Sequence, residues 1–402
     1  MLHVLQAAEL LCSSSQWLVD SHTFQTLSQE RQDTLYAAEG LFYEPSTYRS
    51  LTSQEGKVLA KFALQLYDAG VFVEPDRSTD GFDFLPYSML TYLADIVPGS
   101  LDGLYAQLLT RNLNFQSNSI FREADPETRD HIITLLQTGE PCPYHPTALL
   151  SALAWIGDRR VQEQFSQWQY HPEYEQWRQR VTLTPASFAH QAGWELTPDG
   201  GRRDLYFHTC YDLPRRTSEE GLRVNLGSLQ EEHCGWCGRQ LFSCFDCFLS
   251  DLPHVSEELF HQRGERLRLP LCLNCFSTQS FRENRVIMDV DFHGKAQWST
   301  SNGARPQHVQ VYEPDDIRYI AGLQPQQCFL GPQRRTPYDV NGTHIGGCPN
   351  WPQYSDYPIC PSCERSMMFV GQWEEVPIYL WEGYLYAFLC LECGLSTIGQ
   401  QH

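Results

Sequence analysis

Through the first 170 residues, apolar positions recur at the three- and four-residue spacing that puts them on one face of a helix. Val58, Leu59, Phe62, Ala63, Leu66 and Tyr67 make one such stripe, ending at Gly70. Leu101, Leu104, Tyr105, Leu108 and Leu109 make another after the Pro98-Gly99 break. Asp125-Pro126-Glu127 predicts a helix start, with a capping carboxylate, a proline suited to the first turn and an acid at the positive end of the helix dipole. That helix buries Ile132, Ile133, Leu135 and Leu136 and ends at Gly139. Leu149, Leu150, Leu153 and Ile156 then predict a short helix, Gly157-Asp158 a turn, and Val161, Phe165 and Trp168 a second helix. Two short helices about a Gly-Asp turn resemble one HEAT-like hairpin, the unit that stacks into α-solenoids. The spacing is too irregular to count repeats, so an irregular helical packing stays open beside the solenoid.

Near residue 190 the period changes. The Pro198-Asp199-Gly200-Gly201 turn followed by Leu205-Tyr206-Phe207 reads as the entry to a β-rich region. Strands are predicted at Leu267–Leu271 and Arg285–Phe292, where Val286, Met288, Val290 and Phe292 alternate with Arg285, Asp289 and Asp291. Further strands are predicted at Met367–Val370, Ile378–Trp381 and Tyr384–Leu391. Residues 294–358, rich in Pro, Gly, Asn and Gln, are expected to form long loops. The expected fold is α+β: a helical domain, HEAT-like or irregular, over 1–190; a β-rich segment over 191–300; and a C-terminal segment over 301–402.

Composition then narrows the function. The 402-residue chain is 42% hydrophobic and carries 29 Lys and Arg against 49 Asp and Glu, a formal charge of −20. Such a surface repels phosphate backbones, which argues against nucleic acid and favours a basic protein partner. The first basic residue is Arg31 and Glu9 interrupts the apolar start, so no signal peptide is expected. No apolar run approaches the ~20 residues of a membrane span. A cytoplasmic protein with no membrane partner is the expectation, and in a reducing compartment its 15 cysteines point to metal ligation over disulfides.

Ten of those cysteines stand as five C-x-x-C pairs: Cys234/Cys237, Cys244/Cys247, Cys272/Cys275, Cys360/Cys363 and Cys390/Cys393. Two sulfurs three residues apart fit one tight turn, and two such turns supply the four thiolates that tetrahedral Zn²⁺ takes at about 2.3 Å. Cys360, Cys363, Cys390 and Cys393 bracket a hairpin-sized stretch and form one predicted zinc ribbon. For the other, Cys234 and Cys237 with the knuckle glycine Gly238 are paired with Cys272 and Cys275. Cys244/Cys247 with Cys272/Cys275 is the competing assignment, and a two-metal site drawing on His233, His208 or Cys210 is a third. Both Cys₄ sites are expected to be structural, because a closed thiolate set leaves no position for water or substrate. Cys12, Cys142, Cys210, Cys328 and Cys348 are expected as small buried apolar residues.

The last sixty residues carry a likeness. HIGGCPNWPQ (His344–Gln353), YPICPSCERSMMFVGQ (Tyr357–Gln372) and GYLYAFLCLECG (Gly383–Gly394) resemble the YwqG-like family of bacterial proteins, with their I-G-G-x-P-x-W-x-Q motif, methionine-rich strand ending in Gly-Gln, and terminal C-x-x-C. The block from Trp194 through CGWCGRQLF to Cys272/Cys275 resembles long members with an extra upstream ribbon. Pro352 departs from the aliphatic residue of that motif. The resemblance implies a β-rich fold and no defined activity. Family members near toxin genes make an immunity role the implied function. The Gly346-Gly347 turn before Trp351 reads either as a structural corner or as a ligand site, with Gln353 placed to bond local backbone.

No phosphate-binding loop, H-E-x-x-H or G-x-S-x-G occurs; Gly56-Lys57 and Gly294-Lys295 lack the rest of such a loop, and His254 and His261 read as surface. The expected function is therefore a non-enzymatic zinc protein that binds another protein, as an immunity protein would bind a basic toxin domain. Thiol-dependent or redox chemistry at the spare Cys244/Cys247 pair, or a zinc-ribbon protein with a housekeeping role, is the alternative.

Overall fold

Eight α-helices have both ends among the described residues: α1 (Pro45–Tyr48), α2 (Ser53–Asp68), α3 (Leu85–Ile96), α4 (Tyr105–Thr110), α5 (Pro126–Thr138), α6 (Pro146–Ile156), α7 (Arg159–Tyr170) and α8 (Pro185–Gln191). The computed structural model describes residues 29, 40–68, 85–111, 118–140, 145–175, 184–212, 222–226, 228–248, 266–272, 275, 285–291, 293–304, 326–330, 333–335, 338, 342–374 and 383–401. The chain divides into two units, Met1–Ala192 with Leu196–Gly201, and Gly193–Glu195 with Arg202–His402.

In the first unit the helix boundaries follow their caps. Asp125 accepts a hydrogen bond from the Thr128 N–H and starts α5; Asp158 does the same for α7 through Val161. Gly139 and Gly157, both left-handed, end α5 and α6. Leu101–Leu104 turn without joining the helix, so α4 begins only at Tyr105. Helix α6 is almost wholly apolar and buries Leu149 through Ala154. A helix buried all round is packed on more than one side, and α6 meets α5, α7, α8 and the Asn118–Phe121 turn. It is the hub of the unit, and a repeating HEAT-like stack is not shown.

The second unit holds two antiparallel sheets. One joins β4 (Leu222–Leu226), β5 (Ser228–His233), β6 (Gln240–Phe248), β7 (Arg266–Leu271) and β10 (Gln326–Leu330). Ser243 of β6 faces Ser228 on one edge and Pro270 on the other, so β6 is the central strand between β5 and β7. The second sheet has the order β11-β3-β12-β13-β14-β15-β8-β9. Its strands are β3 (Phe207–Asp212), β8 (Met288–Val290), β9 (Ala296–Trp298), β11 (Gln333–Arg335), β12 (His344–Gly347), β13 (Met368–Glu374), β14 (Tyr384–Leu389) and β15 (Leu395–Gln401). A separate short hairpin, β1 (Trp194–Leu196) with β2 (Arg202–Asp204), divides its residues between the two units.

Strands from both sides of residue 300 share both large sheets. The stretch 294–358, expected as loops, contributes β9, β10, β11 and β12, none longer than five residues, which is too short for alternation to show. The predicted strand at Ile378–Trp381, the histidines His254 and His261, and Cys12 and Cys142 all lie outside the described residues.

The core of this unit is divided by one short strand. Val286 and Met288 pack with Leu241, Cys234, Cys272 and Cys275, whereas Ile287 between them packs with Cys360, Cys390, Phe369 and Phe388. In extended chain, successive side chains leave opposite faces, so this stretch inserts between two cysteine-lined clusters. It is tied to β15 by Thr397 Oγ1, which donates to the Val286 carbonyl at 2.9 Å, and to the turn before β15 by the Val290 N–H, which donates to the Gly394 carbonyl at 2.8 Å.

Candidate metal centres

Strands β5 and β6 are joined by a turn containing Cys234 and Cys237. The Cys234 N–H donates to the Arg239 carbonyl at 2.7 Å, the Gly238 N–H to the Cys234 carbonyl at 2.8 Å, and the Trp236 N–H points at the Cys234 sulfur at 3.4 Å. Gly238 takes φ +71°, a left-handed value that costs glycine nothing. Cys272 and Cys275 follow β7, whose pairing of Leu271 with Phe242 brings them to the same end of the sheet. The result is one group of four sulfurs, all within 4.8 Å of one another, with Cys234–Cys275 at 3.8 Å and Cys237–Cys272 at 3.5 Å.

The second group is Cys360, Cys363, Cys390 and Cys393, again within 4.8 Å. Cys360 and Cys363 sit on a turn closed by an isolated bridge between Ile359 and Ser366, just before β13. Cys390 and Cys393 form the tip of the β14–β15 hairpin. Both turns repeat the first one's bonds: Cys360 N–H to Arg365 carbonyl at 2.8 Å, Glu364 N–H to Cys360 carbonyl at 2.9 Å, Cys390 N–H to Leu395 carbonyl at 2.7 Å, Gly394 N–H to Cys390 carbonyl at 2.9 Å. The left-handed position is filled by Gly394 in one and by Glu364, φ +58°, in the other. Because β13 pairs with β14 through Met368 and Leu389, the two turns meet, with Cys363 and Cys390 sulfurs 3.7 Å apart.

Four sulfurs held about 2.3 Å from a tetrahedral centre lie about 3.8 Å from each other, close to the distances found. They are far beyond the roughly 2.05 Å of a disulfide, and none of the eight cysteines in the two groups is in a disulfide. The donor set contains thiols and nothing else, which suits zinc. Without a cation, crowded thiols divide their protons unevenly. Cys237 is pushed well below the usual thiol range by hydrogen bonding from Cys234, then Cys272 and Cys275, while Cys272 is pushed far above it by hydrogen bonding with Cys234, then Cys237 and Cys275, and by burial. In the second group burial alone would raise Cys363, but the Arg365 N–H and the Cys390 and Cys360 thiols bring it down to about 7. Burial pushes Cys390 up. A divalent cation replaces these shared protons and takes all four sulfurs as thiolates.

The surroundings differ. Over the first group, Trp236 meets Trp298 edge to face at 5.2 Å and its indole N–H donates to the Gly303 carbonyl at 3.1 Å. Gly235 makes this possible, since a Cβ there would lie 2.5 Å from the Trp298 ring nitrogen. The second group is crossed by an exposed ion pair between Arg365 and Glu392, one from each turn.

The other cysteine assignments are not what the structure builds. Cys244 and Cys247 lie within the extended strand β6, where positions three apart are separated by roughly 10 Å, and not on a turn. His208 bonds to Asp204 at 2.9 Å, Cys210 is buried in β3, and His233 is exposed; none joins a cluster. Cys348 is buried, and Cys328 lies in β10.

The Gly346-Gly347 motif forms a corner. Both glycines are left-handed, and Trp351 stacks on Tyr386 at 4.7 Å beside Phe388. Gln353 is exposed; the residue that binds backbone there is the buried Gln372, which accepts from the Asn350 N–H at 2.8 Å and donates to the Gly342 carbonyl at 3.0 Å. Sequence reasoning missed Gln372 because a glutamine in a strand reads as an outward position. Its place directly after Gly371, which pairs with Ile345 of the motif strand, was the available signal.

Among known proteins, the chain is similar to a Salmonella typhimurium protein described as uncharacterized protein YpfL, 28% identical over 369 residues that cover 88% of this chain and 79% of that protein. No protein-family profile and no solved structure matches the chain.

Proposed function

We propose that this is a zinc protein that acts by binding another protein, with both Cys₄ centres serving as structural staples. The observation that carries the reading is the closure of both groups: four sulfurs fill a tetrahedral set and leave no open position at which water or substrate would be activated. Structural zinc of this kind contributes on the order of 10 kcal/mol to the fold that gathers its ligands. The charge of −20 favours a basic partner and disfavours nucleic acid, and among the described residues no helix is long and apolar enough to cross a membrane.

The partner we propose is a basic toxin domain, which would make the chain an immunity protein of YwqG-like kind; the motifs at His344–Gln353 and Tyr357–Gln372 support that reading. Co-expression with the product of the adjacent gene tests it. A stable complex and restored growth are expected, and the absence of both would sink the immunity role. Metal analysis of purified, unchelated protein tests the zinc reading separately, with two zinc ions per chain expected. Redox use of Cys244 and Cys247 is disfavoured, because a disulfide needs Cα atoms within about 7 Å and would require breaking β6.

A further inference from the structure

We propose that the second Cys₄ group is a thiol-oxidation site: hydrogen peroxide converts Cys363 and Cys390 into a disulfide and so ejects that site's metal, while the first group keeps its own. The inference rests on the zinc reading above.

Distance does not separate the two groups, since each contains a cross-turn pair of sulfurs at 3.5 to 3.7 Å. Access does. In the first group only Cys237 is half-buried and the other three cysteines are buried; in the second, Cys363 and Cys393, one from each turn, are both half-buried. In the Cys234/Cys237 turn of the first group, the residue before the second cysteine is Trp236, locked against Trp298 and Gly303. At the same place the second group has Ser362 and Glu392, both exposed. The turn carrying Cys363 is also held with Glu364 in the left-handed region, which a residue with a Cβ leaves readily once the restraint is gone. Access and strain thus fall on the same turn.

The chemistry balances with peroxide as the oxidant. The Cys363 thiolate attacks one peroxide oxygen, the O–O bond breaks, and hydroxide leaves with the electron pair, giving a sulfenic acid. The Cys390 thiolate, 3.7 Å away, attacks that sulfur and displaces a second hydroxide. The two sulfurs lose two electrons in all, and peroxide with two protons becomes two waters. Two thiolates remain, too few to hold the ion.

The test uses the full chain, metal-loaded and reduced. Total zinc is measured first: two ions per chain support the zinc reading, and a value near zero overturns both that reading and this proposal. Peroxide is then added while a metallochromic dye reports free zinc, and peptide mapping locates the disulfide. One zinc is expected to leave at least about tenfold faster than the other, with Cys363 joined to Cys390 and Cys234, Cys237, Cys272 and Cys275 still reduced. Trp236→Ala, which removes the cover without touching a ligand, is expected to bring the two rates within about threefold. Two bound zinc ions that leave together in the native chain, a first disulfide in the Cys234 group, or no release at all would overturn the proposal and leave the zinc reading intact.

Discussion

The two thiolate groups are built on one plan run in opposite directions. In the first, the hairpin turn between β5 and β6 comes first and the second pair follows the last strand, β7. In the second, a turn precedes the first strand, β13, and the hairpin tip between β14 and β15 comes last. Either way, a three-stranded antiparallel ribbon places two C-x-x-C turns at one end. Strand order is therefore not what a four-sulfur site requires; adjacency of the two turns is. The difference lies in what surrounds each site. One sits under a pair of tryptophans, the other opens beneath an exposed Arg365–Glu392 pair, a contact worth less than about 1 kcal/mol.

The largest way to break this comparison is to remove the metal. With both sites empty, eight sulfurs are left gathered without a cation, and roughly 10 kcal/mol per site is lost from the strands they join. Stepwise titration with a zinc chelator, followed by near-ultraviolet circular dichroism, should remove one zinc with limited loss of tertiary signal and the second with collapse of the β unit. The ion retained to the end should be that of the Cys234 group. An unchanged thermal transition in the fully stripped protein would mean the thiolate groups are ornaments of a fold that stands without them.

The strand stretch between the groups allows a finer cut. Ile287→Ala removes packing from the side of Cys360 and Cys390, and Met288→Ala from the side of Cys234 and Cys272. Each large-to-small change should cost about 2–5 kcal/mol in denaturant unfolding. Their effects on metal retention should be opposite: Ile287→Ala should speed chelator-driven loss of the second zinc, and Met288→Ala that of the first. Equal effects on both sites would show that the strand transmits strain as one body and that the two clusters are not separable.

How much of this was legible follows from what leaves a local trace. Helix α5 announced itself through Asp125, whose cap forms as read, whereas Asp158, read only as part of a turn, also proves to be the cap of α7. The cysteine turns were legible because chelation forces a fixed spacing, and Gly238 marks its turn in the sequence as it does in the backbone. Strand β15 was not legible. Its core positions are filled by Ser396, Thr397, Gln400 and Gln401, all buried, and no apolar alternation betrays it. Thr397 and Gln401 meet backbone carbonyls of Val286 and Tyr354, partners far away in sequence. The double facing of Val286, Ile287 and Met288 was likewise missed, because the alternation of Val286, Met288 and Val290 with charged residues reads as one buried face and gives Ile287 no core of its own.

The smallest and sharpest test concerns Glu364, the one non-glycine residue in the left-handed region among the described residues. Gly238 and Gly394 occupy the left-handed position of their turns, and Glu364 occupies it in the third with the same backbone bonds. A residue with a Cβ pays about 1–2 kcal/mol there. Part of that gain is lost on substituting glycine, which loosens the unfolded chain by about 0.4–1 kcal/mol. Glu364→Gly should therefore stabilise the protein by about 0.5 kcal/mol net, read in denaturant unfolding. Gly238→Glu, the reverse exchange in the first ribbon, should destabilise by a similar amount and speed loss of the first zinc. If Glu364→Gly instead weakens the fold, the glutamate side chain is holding its turn together. The three turns would then be alike in backbone only, and the strain assigned to the Cys363 turn would have to be withdrawn.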